Sequence, residues 1–215
     1  MRIRLLAGLL GLLAALAGAP EPARAQDKPG AFDFYVLALS WSPTYCLSPK
    51  ASPQQCKGAV SHRFVVHGLW PQHETGYPDY CARSAPYVPD ATIAAMADLM
   101  PSKGLVLHEW RKHGTCTGLT PDGYFALVRE ARGRVVIPPA LSAGTPQPMT
   151  SRQIEAAFAQ ANPGLAPDMM AVTCEDGNFS EIRVCLGKDL AFRSCPEVDR
   201  RACGASRTLA IPAPR

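Results

Sequence analysis

The chain has 215 residues, 8 of them cysteine, with 47% hydrophobic residues and a formal net charge of +4; that is enough for one domain with a real core. Part of the charge belongs to the first 25 residues, where Arg2, Arg4 and Arg24 stand against Glu21, so the remainder carries about +2. An excess that small permits a polyanionic partner without demanding one, and no later run is apolar enough to span a bilayer.

Residues 1–25, MRIRLLAGLLGLLAALAGAPEPARA, open on Arg2 and Arg4, continue in a short Leu/Ala run and end in the small-x-small sequence Ala23-Arg24-Ala25. This predicts a secretory signal peptide, since the apolar run is too short and too poorly flanked for an anchor. Residues 26–215 are then expected to form one exported domain, periplasmic or secreted, with nothing pointing beyond a monomer. All the cysteines (Cys46, Cys56, Cys81, Cys116, Cys174, Cys185, Cys195 and Cys203) lie in that part. An even count behind a leader implies four disulfides in an oxidising compartment. Eight cysteines allow about 105 pairings, and spacing does not choose among them. No CxxC pair occurs, which argues against a zinc ribbon or a thioredoxin-like site.

FDFYVLALSW, residues 32–41, is almost continuously apolar and suits a buried central strand. RFVVHGLW, residues 63–70, reads as a second strand that Gly68 ends, with His67 as its last residue. Asp90 is placed to cap ATIAAMADLM, and Pro101 to stop it. A short helix is expected from about Leu105 to His113, with Gly114 as its C-terminal stop. Thr120-Pro121 opens another helix, residues 138–149 read as loop, and Thr150 or Ser151 caps RQIEAAFAQA. From Met169 the period changes: two runs flank Asp176-Gly177-Asn178, a hairpin signal, and DLAFRSC is a third strand beside them. Helices and strands without regular βα alternation predict an α+β domain, a central antiparallel sheet packed with helices and stapled by disulfides.

HEWRKHGTC, residues 108–116, crowds two histidines, a glutamate, a lysine and an arginine into six positions. A zinc-protease helix needs two histidines four apart. His108 and His113 are five apart and diverge by roughly 140° at about 100° per residue, so no metal is expected. The same wheel puts Glu109 and His113 on one face, and pairs His108 with Lys112. A lysine beside a histidine disfavours the imidazolium and keeps the ring ready as a base. His67, followed by Gly68, supplies a second imidazole. Two histidines and a lysine are the parts for internal phosphoryl transfer on RNA: one ring takes the 2′-OH proton, the other protonates the departing 5′-oxygen, and cations steady the crowded phosphorus. DNA, lacking the 2′-OH, should be inert. The competing reading is structural, because a histidine beside a tryptophan often serves packing and helix charges often form a solvated face.

HGLWPQ (residues 67–72) and HEWRKHGTC, in that order and about forty residues apart, resemble the two active-site segments of the ribonuclease T2 family, the secreted acid endoribonucleases. FDFYVLALSWSPTYC resembles the family's opening strand and first cysteine, and CEDGN…IRVCL its C-terminal strands. The resemblance implies His113 as general base, His67 as general acid, Glu109 and Lys112 as the pair that stabilises the pentacovalent phosphate, and His108 as a substrate contact. It implies Trp70 as a platform for a base, since stacking contributes about 1–3 kcal/mol per base whichever base it is. It further implies RNA as the partner, a 2′,3′-cyclic phosphate and then a 3′-phosphate as products, no cofactor, and the pairs Cys46 with Cys56, Cys81 with Cys116, Cys174 with Cys203 and Cys185 with Cys195. Gln72 stands where some relatives have an acidic, base-reading group, and Leu105 where several have an aromatic, so weak base selectivity is expected. Tyr77, Tyr80 and Trp41 are secondary candidates for stacking, each better explained by packing. The remaining alternative is an idle relative that binds RNA without cutting it.

Overall fold

The computed structural model describes residues 28–49 and 51–214, so the expected signal peptide lies outside the described residues. In chain order the strands are β1 (Phe34–Trp41), β2 (Phe64–Gln72), β3 (Met149–Thr150), β4 (Met170–Glu175), β5 (Asn178–Leu186) and β6 (Thr208–Leu209). The helices are α1 (Ser42–Tyr45), α2 (Pro53–Cys56), α3 (Asp90–Ala95), α4 (Lys103–Lys112), α5 (Pro121–Gly133), α6 (Pro139–Ser142), α7 (Ser151–Ala161) and α8 (Pro196–Asp199). Four strands form an antiparallel sheet in the order β2-β1-β5-β4, and β3 pairs with β6 apart from it. The fold is α+β, as the sequence predicts.

β1 is almost continuously apolar because both faces of the central sheet are covered. Tyr35, Leu37, Leu39 and Trp41 enter a large core that Val106 and Trp110 of α4, Tyr124, Phe125 and Val128 of α5, and Ile154 and Phe158 of α7 complete. Phe34 and Val36 enter a smaller cluster with Ala171, Cys185, Cys195 and Val198 on the other face. Asp176 and Gly177 both take positive φ, 48° and 81°, which turns β4 into β5 as the hairpin signal requires. Thr150 and Gln153 form a reciprocal capping box at the start of α7, and Thr120 accepts from Gly123 N at 3.2 Å to start α5.

Several elements depart from the sequence reading. β2 does not end at Gly68 but runs on to Gln72, with a register shift: Ala38 pairs with Gly68 and Leu39 with Val66. His67 is therefore the extra residue of a β-bulge rather than a strand end. α3 stops at Ala95, because the chain then turns to sink Met96 and Met100 into the core and the Leu99 carbonyl accepts from Val66 N of β2 at 2.9 Å. Asp90 is no cap; its carboxylate accepts from Lys103 Nζ at 3.1 Å. α4 begins two residues early because Ser102 caps it. The 138–149 segment contains the short helix α6, and DLAFRSC makes only one bridge, Leu186 to Phe192, within the loop closed by the Cys185–Cys195 disulfide. The other disulfides join Cys46 to Cys56, Cys81 to Cys116 and Cys174 to Cys203.

Gly114 is not a left-handed helix stop, since it lies in a 3-10 turn, Gly114–Cys116, without positive φ. What its position demands is space: an added Cβ would collide with the Trp110 ring and press on Tyr124. Gly114→Ala should therefore destabilise the fold by about 1–3 kcal/mol, as overpacking does, visible as a drop of several degrees in the thermal unfolding midpoint. An unchanged midpoint would show that α4 and α5 do not meet there.

Candidate active site

The site forms where β2, β5 and α4 meet. In α4 the inward stripe is Val106, Glu109, Trp110 and, just past the helix, His113. These positions follow the i, i+3, i+4, i+7 pattern of a buried helix face, so packing itself carries a carboxyl and an imidazole inward. Glu109 is 1% exposed and His113 5%. His113 sits at the helix C-cap with φ −115° and ψ −45°. That local unwinding sets aside the ideal-helix divergence from His108: both rings line one cavity.

On β2 the bulge, at which His67 has no partner in the β1 register, aims its side chain into the same cavity, a usual service of bulges beside active sites. Trp70 follows on the strand, and its Nε1–H donates to Glu109 Oε2 at 2.8 Å. Gly68 makes this contact possible, for a Cβ there would strike the Glu109 carboxylate and the indole nitrogen. The His113 ring stacks on Trp70 at 5.3 Å and 30°, while the His67 ring meets it edge-on at 5.1 Å. Both imidazoles thus lie within 5.3 Å of one indole, centroid to centroid.

The cavity, about 310 Å³, is lined by all seven residues singled out in the two motifs: His67, Trp70, Gln72, His108, Glu109, Lys112 and His113. Lys112 Nζ lies 5.9 Å above the Tyr77 ring at the rim. Gln72 donates from Nε2 to its neighbour's carbonyl, Pro71 O, at 2.9 Å. Of the secondary aromatics, Trp41 is core, Tyr77 lines the cavity and Tyr80 is absent from the lining. No cluster of three His, Cys, Asp or Glu side chains suited to a metal occurs among the described residues.

Two groups of β5 escaped the sequence reading: Arg183, which lines the cavity, and Glu181, which lies behind His67. Glu181 is buried; its Oε2 accepts from His67 Nδ1 at 2.8 Å and from Ser40 Oγ at 3.0 Å, and its Oε1 accepts from Arg183 Nε at 2.8 Å. The Arg183 guanidinium also lies 5.2 Å over Trp70. The alternation E-I-R-V at residues 181–184 was the available signal, because period two puts Glu181 and Arg183 on one face and Ile182 and Val184 on the other.

These surroundings drive the ionisable groups apart. Burial, then the nearby Lys112 ammonium and the other two imidazoles, push His113 down to about 3. Burial likewise raises Glu109 to about 7 against the pull of His67, Trp70 and Lys112. At His67 partial burial works downward, but the Glu181 hydrogen bond and charge, helped by Glu109, outweigh it and raise the imidazole above its usual value. Glu181, despite burial, is held down at about 2 by His67 and Arg183. His108 is lowered by burial and by Lys112. One imidazole is thereby kept neutral and the other charged over the same pH range, which is what paired proton acceptor and donor require.

An antiparallel α+β scaffold that presents two oppositely tuned imidazoles to one cavity is equipped for acid–base chemistry. The comparisons give the family. A model described as the Ribonuclease T2 family matches residues 32–195, and the chain belongs to that family. A ribonuclease of Aeromonas hydrophila is 40% identical over 134 residues, covering 62% of this chain and 60% of that protein. A probable ribonuclease of Haemophilus influenzae is 32% identical over 127 residues, 53% of this chain and 47% of that one. The matched stretch thus spans between about half and three fifths of these two relatives. In fold, the chain resembles RNase NT, solved in complex with 5′-AMP, with a TM-score of 0.70 at 23% identity over 86% of this chain and 99% of that one.

The raised Glu109 has a measurable consequence. A group whose folded value lies above its unfolded one favours the protonated native state, so its stabilising share is complete below about 4.5 and is lost as pH rises through about 7. Glu109→Gln, which keeps an acceptor for the Trp70 N–H, should match the parent near pH 4 and unfold a few degrees later at pH 8. Calorimetry across that range checks it; a gain that does not grow with pH would contradict the buried, protonated carboxyl.

Proposed function

We propose that the protein is a metal-independent endoribonuclease that cleaves RNA by transesterification and then hydrolyses the cyclic product. The observation that carries this is the pair of oppositely tuned imidazoles, His113 and His67, on one cavity and against one indole, Trp70. His113, neutral over most of the pH range, accepts the ribose 2′-OH proton as the 2′-oxygen bonds to phosphorus. His67 donates its proton to the 5′-oxygen as the phosphorus–oxygen bond breaks, leaving a 2′,3′-cyclic phosphate. In the second step the roles reverse: His67 activates water and His113 returns a proton to the 2′-oxygen, giving a 3′-phosphate. Lys112 offers positive charge to the phosphate oxygens, and Glu109, protonated below about 7, donates a hydrogen bond to one of them. His108 contacts the substrate from the rim and Gln72 from the cavity wall.

Trp70 has a different job from the base platform that the resemblance implies. Its N–H is engaged by Glu109 and its ring by His113, so it acts as the spacer that sets the three catalytic groups relative to one another. Tyr77, 45% exposed at the rim, is the better placed aromatic for a base. With no acidic base-reader at position 72, low base selectivity follows. Four disulfides fit an oxidising destination, periplasmic or extracellular, and no helix among the described residues is long and apolar enough to cross a membrane. An idle RNA-binding relative would not need the four groups His67, Glu109, Lys112 and His113 together.

The purified protein should cut dinucleotides and yeast RNA in EDTA, releasing a 2′,3′-cyclic phosphate before the 3′-phosphate, and leave DNA intact. A need for added metal, or 5′-phosphate products, would reject the mechanism. His67→Ala and His113→Ala should each lower kcat on the order of a hundredfold or more, the range for a lost acid or base. The pH profile of kcat/KM should rise near 3, where His113 loses its proton, and fall above 6.5 as His67 does. A rate that keeps climbing into the alkaline range would reverse these assignments.

A further inference from the structure

The functional reading leaves unexplained why an acid–base ladder is built into β5. Glu181 is 5% exposed in a strand whose other face is core. Burying a carboxylate is costly unless each oxygen is partnered. Here each is: Oε2 by Ser40 and His67, Oε1 by Arg183. The three partners reach it from β1, the β2 bulge and β5 itself, so the carboxylate is fixed by three strands. Held ionised to about 2 by His67 and Arg183, it can only accept hydrogen bonds. His67 Nδ1 must therefore carry a proton toward it, and the exchangeable site of the ring is Nε2. That atom lies 3.8 Å from Glu109 Oε1, at the cavity.

We propose that Glu181 is the positioning residue of the proton donor: it fixes the tautomer and the orientation of His67 so that the Nε2 proton faces the scissile phosphate. The proposal rests on the endoribonuclease reading given above. Arg183, in turn, locks the Glu181 carboxylate and tempers its pull on the ring. Other charged groups face His67 as well. Glu109 comes from α4, and His108, Lys112 and His113 line the same cavity from that element and its cap, while β1 offers only the neutral Ser40. Glu181 makes the only hydrogen bond to the ring among the described residues.

Two measurements on the full-length protein test this. In the first, the His67 imidazole is titrated by NMR in wild type, Glu181→Gln and Arg183→Met, a readout that does not depend on RNA cleavage. The midpoint should fall by at least about one pH unit in Glu181→Gln and rise in Arg183→Met, since removing a carboxylate and removing a cation act oppositely. In the second, dinucleotide cleavage by Glu181→Gln should lose about 10- to 100-fold in kcat with little change in KM, and the alkaline limb of its profile should move to lower pH. Glu181→Asp, still ionised, should restore the limb in part. Ser40→Ala, a milder change to the same carboxylate, guards against a Gln variant that fails to fold; removing a donor to Glu181 should raise the midpoint as Arg183→Met does, by less. An unmoved His67 midpoint in a folded Glu181→Gln or Ser40→Ala overturns the proposal. A moved midpoint without any RNA cleavage by the wild type would instead overturn the endoribonuclease reading.

Discussion

The site depends on one buried carboxyl group, Glu109, wedged between the α4 stripe and the β2 strand. Its Oε2 is anchored by the Trp70 N–H, its Oε1 faces His67, and Gly68 supplies the room that lets helix and strand approach so closely. Loss of hydration is what makes the arrangement chemical. The same dry pocket that raises Glu109 toward neutrality lowers His113, and the ionised Glu181, helped by Glu109, prevents His67 from following it. Two identical side chains thus acquire opposite shifts in proton affinity from opposite surroundings.

Scaffold and chemistry are coupled through packing rather than kept apart. Glu109 and His113 occupy the helix face that apolar residues would normally hold, with Val106 and Trp110 as their neighbours. The molecule gives up hydrophobic burial there and restores rigidity by other means. Trp110 donates to Pro86 O at 2.8 Å, and Tyr124 OH donates to Leu69 O at 3.0 Å, tying α5 to β2. The Cys81–Cys116 disulfide joins the turn that follows α4 to the segment that follows β2, closing a loop of 35 residues. Bridges of this kind typically stabilise by about 2–4 kcal/mol. Tyr80 N also donates to Lys112 O at 2.8 Å, so the cavity rim carrying Tyr77 is pinned beside Lys112.

Glycine illustrates how a correct residue can be read for the wrong reason. Gly68 and Gly114 both stand where a turn or stop would be natural, and sequence logic assigned them to that. Neither has positive φ; each is small because an aromatic ring or a carboxylate from another element lies against its backbone. Close approach between distant segments leaves no local signature, whereas left-handed turns do, as Asp176-Gly177 shows. DLAFRSC fails as a strand for a related reason. Its composition is suitable, yet the Cys185–Cys195 bridge closes it into a tight loop with a single sheet contact.

The sequence by itself determined the α+β class, β1 and the β4–β5 hairpin, the caps of α5 and α7, and the seven residues of the two motifs that share the cavity. These follow from short-range rules: period, capping chemistry and turn residues act between neighbours in the chain. Only the tertiary structure decided that His67 sits on a bulge, that His113 leaves the helix to join His108, and that Glu181 and Arg183 stand behind His67. Those facts arise from contacts between residues as far apart as 114 positions, and the burial and charge pairing that set the proton affinities exist only once the strands and helix have met.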